Sequence, residues 1–292
     1  MRAPEAATVA DLIRYGAARF SAVRLAFGHG TSNAADEAAC LAAHALKVPL
    51  DRLAALAFTR PSPERANAVR QLFERRIAER KPAAYLLREA WLSGCRFYVD
   101  ERAIVPRSHI AELLRDDLAP WIGERRTLWS ALDLCTGSGC LAVLFARRFP
   151  RAKIDATDVS PEALEVARIN VARYRLGRRI RVVRSDLFSA LGGRCYDLVV
   201  SNPPYVTAPA MRRLPPEYRH EPRLALAAGE DGLALVRRIL RRARAHLNPG
   251  GVLVVEVGSG RRRVERAFPH AGFIWPELET GYPVFIATRE QL

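Results

Sequence analysis

The sequence lacks the features that mark membrane, secreted and metal-binding proteins. No apolar run in its 292 residues approaches the roughly 20 residues that a membrane-spanning helix needs. Residues 1–5 lack the apolar core of a secretion signal. The five cysteines are an odd number and scattered, and the six histidines lie apart from them and from one another. Neither a disulfide framework nor a metal site is therefore predicted, and we expect a cytoplasmic protein.

Lysine is also scarce, since all but three of the 46 basic residues are arginine. The net charge of +15 favours an acidic or nucleic-acid-associated partner through long-range attraction. The arginines are densest at 173–184, 237–244 and 261–263. Runs of like charge are most often solvated faces of helices and loops, so direct reading of a nucleic acid is the lesser of the two interpretations.

The first part of the chain predicts a small helical bundle, because apolar residues between 8 and 80 recur every three or four positions. Breaks at 28–30 and 61–63 separate the helices. Short β-rich runs at 90–92 and 97–99 predict a hairpin that links the bundle to the rest. We place a helical domain at 1–82, which we expect to recognise the partner protein, a hairpin linker at 83–110 and the main domain at 111–292.

From about residue 128, short β-rich runs alternate with helical stretches. Strands are predicted at 131–135, 153–157, 180–184, 196–201 and 252–257, and helices at 140–149, 161–174 and 232–247. The alternation predicts an α/β fold, in which helices cover both faces of a parallel sheet. The runs 273–275 and 284–288 are too close for a crossover helix, so they are expected to pair antiparallel.

The segment from Asp133 to Gly139 predicts a strand that enters a glycine turn and opens a helix. Glycine allows the tight turn and the close approach of a ligand, which the N–H groups of the helix start then face. Asp158 ends the next strand, where its carboxylate can accept both ribose hydroxyls of a nucleoside. Asp186 and Leu187 follow the third strand and are predicted to meet an adenine amino group and ring.

The loop alone does not identify the cofactor. The spacing of Gly137, Gly139 and Ala142 also fits a dinucleotide fingerprint, and a glycine turn without a ligand is a third interpretation. Asp133 suits the amino group of a methionine moiety better than a pyrophosphate, which favours S-adenosylmethionine.

The motif Asn202-Pro203-Pro204-Tyr205 follows the fourth strand, at the carboxyl edge where open α/β sheets bind ligands. The prolines remove two backbone donors, so Asn202 Oδ1 and the Pro203 carbonyl face the ligand as acceptors. They suit a planar NH2 group, whose face Tyr205 can cover. Two acceptors can orient such a weak nucleophile and stabilise the positive charge it gains on methylation. A purely structural proline turn is the alternative.

Together, segments 133–139 and 202–205 resemble class I S-adenosylmethionine-dependent methyltransferases that modify planar NH2 groups in DNA, RNA or protein. The stretches 82–86, 97–108, 217–222 and 229–233, with the region around Gly28, are similar to the protein glutamine methyltransferases. The loop that leads into the main domain departs from the pattern of the release-factor branch. It reads Pro106-Arg107-Ser108-His109-Ile110, where that branch has Pro-Arg-Pro-Asp-Thr-Glu. It is closer to the branch that modifies ribosomal protein L-three.

This resemblance, which covers nearly the whole chain, implies a Rossmann-like sheet of seven strands with the last antiparallel. It implies S-adenosylmethionine as the cofactor and a glutamine of ribosomal protein L-three as the acceptor. Whether ribosomal RNA lies near that protein during the reaction is left open by the resemblance. The implied cofactor-binding residues are Asp133, Cys135, Thr136, Gly137, Ser138, Gly139, Asp158, Asp186, Leu187 and Asn202. The implied substrate-binding residues are Arg107, Asn202, Pro203, Pro204 and Tyr205, of which Asn202, Pro203 and Tyr205 form the catalytic set.

Two departures from the family pattern lead to further expectations. Cys135 replaces a glycine that is common at that place in other methyltransferases, so we expect no positive φ there. His220 follows the acceptor motif, and a lone histidine of this kind is expected to be structural.

Three other functions remain as alternatives. Release-factor methylation is disfavoured by the sequence around Arg107. A DNA adenine methyltransferase needs a base-recognition region, for which the chain has no spare segment. A non-catalytic ribosome-assembly factor would fit the charge but leaves the motif at Asn202–Tyr205 unexplained.

Overall fold

The computed structural model describes residues 7–115, 118, 121–122 and 128–292. The chain divides into two compact units, of which one holds the residues up to Ala90 together with Leu214–His220 and the other holds Trp91–Arg213 and Glu221–Leu292. Residues 1–5, for which the sequence predicts no secretion signal, lie outside the described residues. None of the helices in the described ranges has both the length and the apolar character needed to cross a bilayer.

The first unit is helical, as the sequence predicts. Its helices are α1 (Val9–Ala22), α2 (Ala34–Leu46), α3 (Pro63–Glu79) and α4 (Ala83–Leu87). The first three begin after Thr8, Asn33 and Ser62, whose side chains accept a backbone N–H of the first turn. Their apolar faces meet in one core, where the rings of Phe20 and Phe73 pack edge to face at 5.4 Å.

Segment Leu214–His220, which follows the acceptor motif in the sequence, is part of this helical unit. Tyr218 packs against the ring of His29 at 4.3 Å, and His220 Nε2 lies 3.1 Å from the carbonyl oxygen of Glu79. Glu217 is fully buried, with Oε1 2.7 Å from Arg80 Nη2. A short stretch from the second half of the chain thus completes the helical unit through polar contacts.

A buried ion pair joins α2 and α3. Glu37 accepts a hydrogen bond from Nε of Arg76, and both side chains are almost fully inaccessible to solvent. Glu37 Oε2 also accepts from Thr31 Oγ1 at 2.6 Å, and Arg76 Nη2 donates to the carbonyl of Ala26 at 3.1 Å. Glu217 is a more distant partner, 3.9 Å from Arg76 Nη1. Removing one member would therefore leave a buried charge poorly compensated.

We predict that Glu37→Ala lowers the free energy of opening of the helical unit by about 3–5 kcal/mol, the usual cost of breaking a buried ion pair. Hydrogen exchange of the α1–α3 amides measures this free energy locally. The control is Glu74→Ala, which removes an exposed ion pair to Arg19 and should cost less than about 1 kcal/mol. Equal, small effects of the two substitutions would show that the buried pair does not stabilise the unit.

A β-hairpin lies in the chain where one unit gives way to the other. Its strands are β1 (Ala90–Leu92) and β2 (Cys95–Phe97), so the second strand begins two residues before the predicted 97–99. The reason is the turn, in which Ser93 and Gly94 both have positive φ, 47° and 70°. A two-residue turn of this kind lets the chain reverse at once, so pairing resumes at Cys95.

The second unit is built on a sheet whose six strands, in the described residues, are β3 (Ser130–Leu134), β4 (Lys153–Asp158), β5 (Ile180–Arg184), β6 (Tyr196–Ser201), β7 (Leu247–Glu256) and β8 (Val284–Thr288). They lie in the order β5-β4-β3-β6-β7-β8. All neighbours are parallel except β7 and β8, which are antiparallel. The predicted parallel sheet with an antiparallel end is confirmed.

The predicted count of seven strands was wrong for the residues described. The segment 273–275 does pair antiparallel with β8, but only through one bridge between Ile274 and Ile286. Ile274 N donates to the carbonyl of Ile286 at 2.9 Å, and Ile286 N donates to the carbonyl of Ile274 at 2.8 Å. Pro276 follows and has no N–H to offer, which explains why the ladder does not continue.

Helices cover both faces of the sheet, as predicted. The α-helices of this unit, within the described residues, are α5 (Ile110–Leu113), α6 (Cys140–Arg148), α7 (Pro161–Arg173), α8 (Ala208–Met211), α9 (Ala234–Ala243) and α10 (Arg261–Ala267). Along β7, Val254 packs in the core that contains α6, whereas Val255 packs in the core that contains α9. Helix α10 was not predicted, because its seven residues include three successive arginines and a single buried residue, Val264.

Candidate active site

The glycine loop between β3 and α6 has an unusual backbone. Gly137 and Gly139 adopt positive φ values of 54° and 76°. A Cβ on Gly139 would lie only 3.1 Å from Cβ and 3.2 Å from Cα of Ala167 in α7. Glycine is thus required at 139 both for its conformation and for the close packing of the loop against α7.

The expectation that Cys135 avoids positive φ was wrong. Its φ is 58°, which lies in the left-handed region that a non-glycine residue occupies at a cost. The chain leaves β3 at this residue and crosses toward β4, where Thr136 N donates to the carbonyl of Thr157 at 2.9 Å. The sharp turn therefore demands this conformation whichever residue occupies the position, and strain of this kind is common at ligand-binding loops.

Asp133 is buried beneath the loop and is only partly satisfied. Its Oδ2 accepts hydrogen bonds from Thr136 Oγ1 at 2.5 Å and from Ala142 N at 3.1 Å. Its Oδ1 is buried and has no hydrogen-bond partner among the described residues. Burial raises the pKa of this carboxyl group to about 7. An orphaned buried acceptor of this kind fits a cationic donor such as the ammonium group of S-adenosylmethionine.

Asp158 stands at the end of β4, beside the same loop. Its Oδ2 accepts from Gly137 N at 2.9 Å and its Oδ1 accepts from Ser160 N at 3.0 Å. Burial raises its pKa. Each carboxylate oxygen has a second lone pair, so Asp158 can still accept hydroxyl groups while it holds the loop.

The third predicted cofactor element follows β5. Ser185 N donates to the carbonyl of Asp158 at 2.9 Å, which ties this segment to the end of β4. Asp186 is exposed and is paired with Arg238 at 2.7 Å, whereas Leu187 is buried with a φ of 51°. The predicted residues that follow β3 and β4 are thus in direct contact with each other. Asp186 and Leu187 directly follow Ser185, which is bonded to the end of β4.

The acceptor motif leaves β6 at the same edge, because Ser201 pairs in register with Leu134 at the end of β3. Pro203 and Pro204 are buried, while Asn202 and Tyr205 are half-buried. The side chain of Asn202 has no hydrogen bond to any residue that the structure describes. Its amide oxygen is therefore an available acceptor within reach of solvent.

Two glycines make room for Tyr205. A Cβ on Gly258 would lie 2.5 Å from Cε2 of the Tyr205 ring, and a Cβ on Gly232 would lie 2.5 Å from the Tyr205 carbonyl oxygen. Both glycines have positive φ, 51° and 77°. Val206 then continues the chain through a parallel bridge to Ala227. Sequence reasoning did not give Gly258 a role, because its partner is distant in the chain.

The segment 105–109, which we call the Arg107 loop, is held by a buried glutamate. Glu221 accepts hydrogen bonds from both terminal nitrogens of Arg107, one of them at 2.7 Å, and from Val105 N at 3.2 Å. Such a two-pronged pair is geometrically specific. The role of Arg107 in substrate binding stays a prediction, and this geometry shows that it orients the loop.

A second glutamate, Glu256 at the end of β7, holds the next two residues of the Arg107 loop. Its Oε2 accepts from Ser108 Oγ and from His109 N, both at 2.8 Å. The ring of His109 in turn stacks on that of Tyr282 at 4.3 Å. Neither Glu221 nor Glu256 was singled out from the sequence, because nothing in the local pattern shows that their partners lie more than a hundred residues away.

Across the ranges that the structure describes, no three histidine, cysteine, aspartate or glutamate side chains are grouped so that they could hold an ion. The polar groups described above are carboxylates, an amide and backbone carbonyls, all of which can accept hydrogen bonds from an organic ligand.

Comparison with known proteins agrees with the fold and extends it. The family described as "Methyltransferase small domain" matches residues 118–213. Among solved structures, the catalytic domain of hMettl16 in complex with MAT2A 3′UTR hairpin 1 is similar with a TM-score of 0.52 and 15% identity, over 86% of this chain and 90% of that one. This likeness concerns the fold alone. Together with the methyltransferase match at 118–213, the sheet with its antiparallel end and the glycine loop identify a class I methyltransferase, whose methyl donor is S-adenosylmethionine.

Curated relatives resemble the chain from end to end. The ribosomal protein uL3 glutamine methyltransferase of Bordetella pertussis is 51% identical, over 99% of this chain and 97% of the relative. The enzyme of the same name from Neisseria meningitidis serogroup B is 52% identical, over 99% and 96%, and that of Xylella fastidiosa strain 9a5c is 47% identical, over 96% and 89%. The chain belongs to the family of ribosomal protein uL3 glutamine methyltransferases.

We predict that Asp133→Asn stabilises the cofactor-free protein but weakens S-adenosylmethionine binding. The folded-state pKa of about 7 lies above the ordinary value of 3.8, so this group costs stability increasingly as the pH rises from about 4 to about 7. The amide of the variant does not ionise, so its burial does not cost more stability as the pH rises. The variant loses a charged acceptor, which should weaken binding by about 1.5–3 kcal/mol.

Thermal unfolding at pH 5 and pH 8 and calorimetric titration with the cofactor measure the two effects. The variant's advantage in melting temperature should grow between the two pH values. An unchanged cofactor affinity would remove Asp133 from the binding site.

Proposed function

We propose that this protein transfers a methyl group from S-adenosylmethionine to the side-chain amide nitrogen of a glutamine in ribosomal protein uL3, the large-subunit protein L-three. The observation that carries the proposal is the junction of β3 and β6. There Leu134 and Ser201 are in register, so the glycine loop and Asn202–Tyr205 begin side by side. The acceptor protein is inferred from the relatives, which are named for uL3.

The cofactor-binding half of the site uses residues that the loop and strand ends bring together. When bound, S-adenosylmethionine supplies an electrophilic methyl group on a positively charged sulfur. Asp133 Oδ1 would accept the cofactor's ammonium group, Asp158 its ribose hydroxyls and Asp186 its adenine amino group, with Leu187 against the ring. The backbone from Cys135 to Gly139 would line the site, with Gly137 and Gly139 allowing close approach.

The acceptor half must solve a chemical difficulty, because the lone pair of an amide nitrogen is delocalised and weakly nucleophilic. Asn202 Oδ1 and the Pro203 carbonyl would each accept one N–H of the glutamine amide, which fixes the direction of the nitrogen. The same two oxygens stabilise the positive charge that grows on nitrogen during transfer. Pro204 keeps Pro203 extended, and Tyr205 would cover the amide plane. The extra proton is lost to water after transfer, so the reaction needs no general base.

The helical unit, completed by Leu214–His220, is the proposed recognition element for the protein substrate, because the chemical motifs all lie in the other unit. The net charge of +15 supports a partner that is bound to ribosomal RNA during assembly, through long-range attraction. A ribosomal-protein substrate supports a reaction in the cytoplasm. Release factors, the substrates of the sibling branch, are not favoured, since the relatives at about half identity are named for uL3.

The test of this function is Asn202→Ala. The substitution removes one of two acceptors, and loss of one preorganised partner of a developing charge commonly lowers turnover by about 10²–10³. Single-turnover methylation of uL3 measures the loss, and calorimetry should show that the cofactor still binds, because its main partners lie on β3 and β4.

Asn202→Asp is the matched control, because its carboxylate keeps an acceptor at the same place. It should retain more turnover than the alanine variant. Near-normal turnover in Asn202→Ala would mean that this residue does not hold the acceptor, and the mechanism given above would be wrong.

A further inference from the structure

Glu256 is a fully buried carboxyl group that the mechanism above does not use. It is the last residue of β7, and Val255 before it pairs in register with Ser201 of β6. Glu256 therefore lies level with Asn202, the first residue of the acceptor motif. Its Oε2 accepts from Ser108 Oγ and His109 N, whereas its Oε1 is buried without a hydrogen-bond partner among the described residues.

The neighbours of Glu256 belong to the acceptor side of the site. Two residues further along the chain, Gly258 contacts the ring of Tyr205. Burial and then the charge of Glu256 raise the pKa of the Tyr205 phenol, so the two groups are within electrostatic reach. Arg107 is the cation that acts on Glu256, but its two terminal nitrogens are engaged by Glu221. Glu221 and Glu256 are thus two buried carboxyl groups that share one cation, Arg107.

In the part of the chain that the structure describes, the ionisable groups around Glu256 come from four elements. Arg107 and His109 lie on the Arg107 loop, and Glu221 pairs with Arg107. Tyr205 follows β6, and Tyr282 precedes β8. Burial lowers the pKa of His109, so its ring is neutral near pH 7. Burial raises the pKa of Glu256 itself to about 7, while the hydrogen bonds from Ser108 and His109 lower it. Glu256 therefore changes charge near neutral pH.

We propose that Glu256 is a positioning residue of the acceptor site, whose buried carboxylate holds Ser108 and His109 and supplies a fixed negative field beside Asn202 and Tyr205. This inference rests on the proposed methyl transfer to an amide. The carboxylate is fully buried, so it acts without touching the substrate. In a site of low dielectric, an anion nonetheless favours the positive charge that grows on the acceptor nitrogen.

The main experiment compares the wild type with Glu256→Gln, an isosteric variant that keeps an acceptor for Ser108 and His109 but carries no charge. Turnover is measured from pH 5.5 to 8.5 with saturating S-adenosylmethionine, so that the ionisation of Asp133 does not limit the rate. Wild-type kcat should rise through about pH 7, as Glu256 ionises. The variant should lose that rise and fall about tenfold at pH 8, less than for a group in contact with the reacting atoms.

A second variant tests the same claim without removing the charge. Ser108→Ala deletes a hydrogen bond that stabilises the carboxylate, so the pKa of Glu256 should rise and the kcat profile should shift to higher pH while its plateau is kept. Glu265→Gln is the control, because this exposed glutamate of α10 pairs with Arg261 and should leave the profile unchanged.

The outcomes separate this inference from the proposed function. An unshifted profile in Ser108→Ala, or a Glu256→Gln variant with wild-type kcat at every pH, would overturn the role of Glu256. If Glu256→Gln fails to fold, the Ser108→Ala profile alone decides. If the wild type transfers no methyl group to uL3 at any pH, the proposed function fails first.

Discussion

The parallel alignment of β4, β3, β6 and β7 is the constraint on which the rest of the structure depends. Leu134 is level with Thr157 on one side and Ser201 on the other, and Ser201 is level with Val255. The residues that follow these strands therefore emerge together at one edge of the sheet. Asp133 and Asn202, which are 69 residues apart in sequence (202 − 133), are brought to the same edge, because parallel strands end at the same side.

Buried carboxyl groups give this edge its chemical character. Asp133 and Glu256 are both buried, each has one oxygen without a partner in the described chain, and each has a pKa raised to about 7. Glu221, by contrast, is neutralised by Arg107. A protein with a net charge of +15 thus has a locally acidic site. That polarity suits a cofactor with ammonium and sulfonium charges and an acceptor nitrogen that becomes positive during transfer.

Much of this fold follows from local pattern, and the rest depends on contacts that are distant in sequence. Strands β5, β6 and β8 have the predicted bounds, because short apolar runs flanked by turn residues define them. The positive φ of Cys135 and the single bridge at Ile274 were missed, since they depend on the turn toward β4 and on Pro276. The Arg107 loop was noticed as a motif, and Glu221 lies in the family-like stretch 217–222, but nothing local shows that Glu221 and Glu256 hold this loop. Likewise, nothing in Leu214–His220 indicates that this segment completes the helical unit.

The proposed acceptor is the amide nitrogen of one glutamine in uL3. Tandem mass spectrometry of uL3 identifies the modified atom after reaction with S-adenosylmethionine that carries an isotopically labelled methyl group. We expect one labelled methyl on a single glutamine side chain, and no label when the release factors replace uL3. A label on another type of residue, on accompanying RNA, or on release factors in preference to uL3 would contradict this proposal.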